Sequence, residues 1–124
     1  MTSQPEPLLR AVDAVVVRVP SLEDGLAFYH DALGHELLWR TETMVALGFG
    51  DSETELVLAL DTGPETDLLV DSVEDAVARI TQAGGTLVAG PDDIAVGKVA
   101  VVTDPFGNRL TLVDLTNGRL RPGG

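Results

Sequence analysis

Val-Asp-Ser-Val-Glu-Asp-Ala-Val-Ala-Arg-Ile-Thr-Gln-Ala-Gly-Gly, residues 70–85, repeats an earlier stretch, residues 19–34: Val-Pro-Ser-Leu-Glu-Asp-Gly-Leu-Ala-Phe-Tyr-His-Asp-Ala-Leu-Gly. Val19/Val70, Ser21/Ser72, Glu23/Glu74, Asp24/Asp75, Ala27/Ala78, Ala32/Ala83 and Gly34/Gly85 are identical at a constant offset of 51 residues. A repeated supersecondary unit decides the architecture before any finer reading is made. Each copy predicts a strand running into a helix. Ser21 and Ser72 stand at N-cap positions, where a hydroxyl accepts from an unpaired amide of the first turn. Asp24 and Asp75 follow at capping-box spacing. Leu22, Leu26, Tyr29 and Leu33 recur at helical spacing in the first copy, and Val73, Val77 and Ile80 do so in the second. Gly34 and Gly85 are expected to stop the helices in the left-handed conformation.

Working outward, alternating strands precede each helix, Ala14 to Val19 and Thr66 to Val70. Three strand-like runs follow each one: 36–41, 44–48 and 55–60 in the first half, 86–89, 98–103 and 109–115 in the second. The pattern is β-α-β-β-β, twice. A unit of about 50 residues buries too little surface to stand alone. The two units therefore share a sheet or pair through a partner chain. Gly90-Pro91-Asp92-Asp93 is expected to be a loop, and Asp104-Pro105-Phe106-Gly107-Asn108 a tight turn.

The chain has 124 residues, 44% of them apolar, with a formal net charge of −12 and no cysteine. That length predicts one domain: a flexible arm over 1–10, paired units over 11–62 and 63–115, and a tail over 116–124. No apolar run spans a bilayer, and the first residues do not form a secretory signal. A cytoplasmic protein is expected, without membrane contact. Strong acidity argues against a nucleic-acid partner; it suits solubility, or a groove that attracts a cation. The absence of cysteine excludes disulfides and thiolate chemistry.

Strand periodicity assigns faces. With Val15, Val17 and Val19 toward the helix, Ala14, Val16 and Arg18 fall on the other side. Leu56, Leu58 and Leu60 oppose Glu55, Val57 and Ala59; Leu110 and Leu112 oppose Arg109, Thr111 and Val113. Glu65 and Asp67 share the face away from the second helix.

The tandem β-α-β-β-β units, the segment 19–29 and the Asp-Pro-x-Gly-Asn turn at 104–108 resemble the vicinal oxygen chelate superfamily, which includes glyoxalase I, extradiol dioxygenases and bleomycin-resistance proteins. The resemblance covers roughly residues 11–115. It implies an α+β fold in which a curved mixed sheet cups a cavity, with the helices on the outer face. Metal-dependent members place histidines and glutamates at about four cavity positions, and these fall on Ala14, Val57, Glu65 and Thr111. Only Glu65 is an ordinary ligand, since alanine and valine supply no donor. Slips of two residues would bring Glu55 or Asp67 to such a site, still without a histidine. No metal or other cofactor is therefore expected.

The leading expectation is a metal-independent protein that binds or sequesters a small organic molecule. Its cavity would be lined by Val16, Val57, Ala59 and Val113, with Arg18, Glu55, Glu65, Asp67, Arg109 and Thr111 at polar positions. The resemblance further implies a homodimer. The alternative is an enzyme, either a lyase or dioxygenase with displaced metal ligands or a metal-free acid/base isomerase. Glu65 and Glu55 are then the catalytic candidates, because crowded carboxylates raise one another's pKa.

Overall fold

The computed structural model describes residues 6–119. The outer parts of the expected arm and tail, residues 1–5 and 120–124, lie outside the described residues. The chain folds as β1 (Ala11–Arg18), α1 (Leu22–Leu26), a π-helical turn (Ala27–Ala32), β2 (Leu37–Arg40), β3 (Met44–Gly48), β4 (Glu55–Ala59), β5 (Glu65–Leu69), α2 (Val73–Gln82), β6 (Thr86–Ile94), β7 (Gly97–Thr103) and β8 (Arg109–Val113). This is the predicted β-α-β-β-β unit, twice. The units share one curved, open, mixed sheet in the order β2-β3-β4-β1-β5-β8-β7-β6. Within the units β1 lies parallel to β4 and β5 parallel to β8; between them β1 and β5 run antiparallel. The seam is thus made inside one chain.

Both helices begin as the sequence predicts. Ser21 Oγ accepts from Asp24 N at 3.1 Å, and Ser72 Oγ from Asp75 N at 3.2 Å. Their ends differ. In the first helix Leu33 N bonds back five residues to Phe28 O, the mark of a π turn, which inserts one residue. Its left-handed stop is Gly34, at φ +83°. In the second helix the left-handed stop is Gly84, at φ +108°, and not Gly85. The inserted residue makes the equivalent stops 50 apart, so the identity of Gly34 with Gly85 does not reflect a common role.

The helices cover the outer face. Val19, Leu22, Val45, Leu47, Leu56 and Leu58 form a buried cluster with α1. Val70, Val73, Ala76, Ala100, Val102 and Leu112 form its counterpart with α2. Full burial of each Leu or Val contributes about 1.5–3 kcal/mol. A third cluster, Ala14, Val16, Ala46, Val57 and Ala59, lies on the opposite face.

One expected loop is a strand. Residues 90–93 belong to β6, where Asp92 pairs with Val99 and Asp93 with Lys98. The turn-forming residues are absorbed by two register shifts along β6 and by Gly90 at φ +84°. An edge strand tolerates this because one row of its amides has no neighbour to meet.

Candidate functional site

The inner face of the sheet encloses a cavity of about 390 Å³ that straddles the seam between the units. Its walls include Val16, Trp39, Met44, Val57, Ile94 and Val113. Small Ala14 on β1 sits among carboxylates, since its Cα partners are Glu55 on β4 and Asp67 on β5.

A β-bulge adds Asp13 to the carboxylates of Glu55, Glu65 and Asp67 that line the cavity. Between Val12 and Ala14 the β1–β5 register slips, so two residues of β1 pass one of β5. Bulges re-aim side chains, and Asp13 lines the same cavity as Ala14. By strict alternation Asp13 would sit under the helix with Val15 and Val17. A charge on that face was the signal available in the sequence that the strand changes phase.

The second residue missed is Arg119. It lies beyond β8, lines the cavity, and places Nη1 3.0 Å from Asp13 Oδ1 and 4.0 Å from Glu55 Oε2, with Nε 3.7 Å from Glu53 Oε2. No periodicity marked it. Trp39 also lines the cavity, and its Nε1 donates to Glu55 Oε1 at 3.1 Å.

Among the residues assigned to the site from the sequence, Val16, Glu55, Val57, Glu65, Asp67 and Val113 come together in this cavity. Ala59 is fully buried in the cluster beneath it. Arg18 is exposed and donates to Leu60 O at 3.3 Å. Exposed Arg109 and buried Thr111 border a neighbouring recess, which Glu65 also touches.

The carboxylates are electrostatically unequal. Burial, the hydrogen bond with Glu65, and the charges of Glu65 and Asp13 push the Asp67 carboxyl up to about 8. Asp67 therefore keeps a proton at neutral pH. Asp13 Oδ1 and Asp67 Oδ1 are shut off from solvent and accept no hydrogen bond among the described residues.

That shift has a consequence for stability. The native state holds the Asp67 proton more tightly than the unfolded chain, whose ordinary value is 3.8. The stabilisation is complete below about pH 4 and is lost as pH rises through about 8. Because Asp67 is partly solvated, the loss between pH 5 and pH 9 is expected to be ~1–3 kcal/mol. Urea unfolding of the wild type and Asp67→Asn at both pH values checks this: the variant should lack that loss. Equal pH dependence would mean that Asp67 is ionised throughout.

The residues do not fit a divalent metal. Ala14 and Val57 belong to the apolar floor, and Asp13 and Glu55 face Arg119. Each histidine makes a ring-nitrogen hydrogen bond to a main-chain carbonyl, His30 to His35 O and His35 to Gly48 O. Among the described residues no three His, Cys, Asp or Glu converge to hold a metal ion. No described helix is long and apolar enough to cross a membrane.

Comparison with known proteins places this geometry in a wider group. Residues 11–112 match the sequence profile described as Glyoxalase/Bleomycin resistance protein/Dioxygenase superfamily. A lactoylglutathione lyase of Neisseria meningitidis is 29% identical over 123 residues, covering 83% of this chain and 89% of that protein. One from Salmonella typhimurium is 30% identical over 119 residues, covering 80% and 88%. Among solved structures, methylmalonyl-CoA epimerase from Mycobacterium tuberculosis superposes with a TM-score of 0.72 at 17% identity, covering 90% of this chain and 92% of that one. At that identity the likeness is one of fold.

Proposed function

The chain belongs to the glyoxalase/bleomycin resistance protein/dioxygenase superfamily, and from that premise we propose that it binds a small organic molecule in its inner cavity without a divalent metal. One observation carries the reading. The cavity is walled mainly by apolar side chains, and three of the four positions to which the resemblance assigns metal ligands hold Ala14, Val57 and Thr111. Apolar walls with a few placed polar groups are the usual construction of a small-molecule site.

The test uses a neutral probe, 4-tert-butylbenzyl alcohol, followed through Trp39, the only tryptophan. Saturable fluorescence change is expected, unaltered by EDTA. Val57→Phe should fill the floor and weaken binding about 20-fold or more, in line with the cost of overpacking a filled site. A stoichiometric zinc or nickel complex with a raised melting temperature would overturn the metal-independent reading. Absence of saturable binding would overturn the cavity itself.

A second reading is enzymatic, favoured by the lactoylglutathione lyase names of the curated relatives and by the hydrogen-bonded Glu65–Asp67 pair. In it the protonated Asp67 is a general acid and Glu65 a general base, exchanging a proton with bound substrate. Glu65→Gln and Asp67→Asn would then abolish turnover while leaving the neutral probe bound.

A further inference from the structure

After β8 the chain runs along the cavity wall and reaches back from the second unit to the first. We propose that residues 115–119 form a strap over the cavity, latched by the Arg119–Asp13 ion pair, and that ligand enters and leaves when the latch opens. The inference rests on the cavity reading and adds the route by which its ligand gains access.

One end of the strap is anchored in the second unit. Asp114, buried at its root, accepts from Thr116 Oγ1 at 2.9 Å. Asn117 N donates to Val96 O at 2.8 Å, and Gly118 N to Leu115 O at 2.9 Å. The other end is held through a side chain. The Arg119 guanidinium reaches the first unit, with Nη1 3.0 Å from Asp13 Oδ1 on β1 and 4.0 Å from Glu55 Oε2 on β4. Its Nε lies 3.7 Å from Glu53 Oε2. Leu115 and Arg119 both line the cavity, so the latched strap is part of its wall.

The contact to Asp13 is built to open. Nη1 and Oδ1 lie within ion-pair distance, yet Oδ1 accepts no aligned N–H among the described residues. Such a contact lacks the directed, bidentate geometry of the strongest arginine–carboxylate pairs. The two side chains are only 16% and 12% exposed. Opening returns both charges to water, and the hydration regained offsets the attraction lost. The closed and open forms therefore lie close in free energy, which a gate requires.

The rest of the strap does not resist. Among the described residues, 115–119 contribute nothing to the three buried clusters, and Thr116, Asn117 and Gly118 are exposed. Segments with few buried apolar contacts open most readily. Gly118, at φ +85° with open space where a Cβ would be, supplies the pivot between the anchored part and Arg119.

Stopped-flow mixing with 4-tert-butylbenzyl alcohol, followed through Trp39 on the full chain, tests the latch. Arg119→Gln and Asp13→Asn are each expected to raise the association and dissociation rate constants together, by about tenfold, because a gate opposes entry and escape alike. Arg119→Lys, which keeps a charge within reach of Asp13, should stay nearer the wild type. The probe is neutral, so losing a charge does not by itself alter its encounter rate. Faster dissociation without faster association would make Arg119 a ligand contact and overturn the latch, as would unchanged rates. A second readout needs no ligand. Trypsin cuts after an arginine whose side chain is free, and a cut after Arg119 releases residues 120–124, read by intact mass. Asp13→Asn should speed that cut by about tenfold with cutting elsewhere unchanged, since cleavage follows the population of the open form. Equal cutting in variant and wild type overturns the latch. If the wild type binds no probe yet Asp13→Asn speeds the cut, the strap opens as proposed and the cavity reading is what falls.

Discussion

Asp114→Ala is expected to destabilise the protein by about 3–5 kcal/mol, the cost of breaking a buried charged hydrogen-bond network. Asp114 is 2% exposed. Its Oδ2 accepts from Val73 N at 2.9 Å; its Oδ1 accepts from Lys98 N at 3.0 Å and Thr116 Oγ1 at 2.9 Å, with Thr116 N at 3.4 Å. Val73 opens α2, so its amide is one of the donors a helix leaves unsatisfied. One carboxylate thus fastens the start of α2, the start of β7 and the chain after β8. Burial opposes its charge, but the donors from Val73, Thr116 and Lys98 outweigh that and hold the carboxyl below its ordinary value. Its contribution is present at neutral pH and is lost as pH falls through that lowered value. Asp114→Asn should cost about 2–3 kcal/mol, because an amide turns a donor toward donors. Urea unfolding at pH 7 measures both variants, and a loss under about 1 kcal/mol for alanine would show that the three segments are held by other contacts.

Gly85→Ala is expected to cost about 3 kcal/mol, and Gly34→Ala about 1 kcal/mol, although the two glycines occupy matching places in the repeat. A Cβ on Gly85 would collide with the Ile80 side chain and lie 2.7 Å from the carbonyl oxygen of Thr103. A Cβ on Gly34 would meet nothing within 4 Å, leaving only the strain of φ +83°. The comparison separates two demands on glycine, room and dihedral freedom. Equal costs, measured by urea unfolding, would mean that α2 can shift off Thr103 without penalty.

Those glycines also show how far the sequence could be read. The repeat and the strand alternation were enough for the β-α-β-β-β units, the serine caps and the faces of Leu56, Val57, Leu58 and Ala59, because each rests on local periodicity. The π turn was not legible, since one extra residue leaves the apolar spacing of Leu26, Tyr29 and Leu33 intact while moving the helix stop. In the site, Val16, Glu55, Val57, Glu65, Asp67 and Val113 followed from alternation. Asp13 was missed because a bulge breaks alternation at that residue. Arg119 was missed because its place depends on where the chain returns after β8, which no local pattern encodes.

The irregularity of β6 has a consequence of its own. An open sheet ends in two strands whose outer amides and carbonyls can recruit a foreign strand, the first step toward aggregation. On β6 that template is broken. Its register shifts twice, Pro91 offers no amide, and Asp92 and Asp93 set negative charge along the border. An incoming strand would lose alignment within a few residues and bring its backbone beside two carboxylates. Residues whose composition reads as a loop thus act as a guard on the sheet's exposed border.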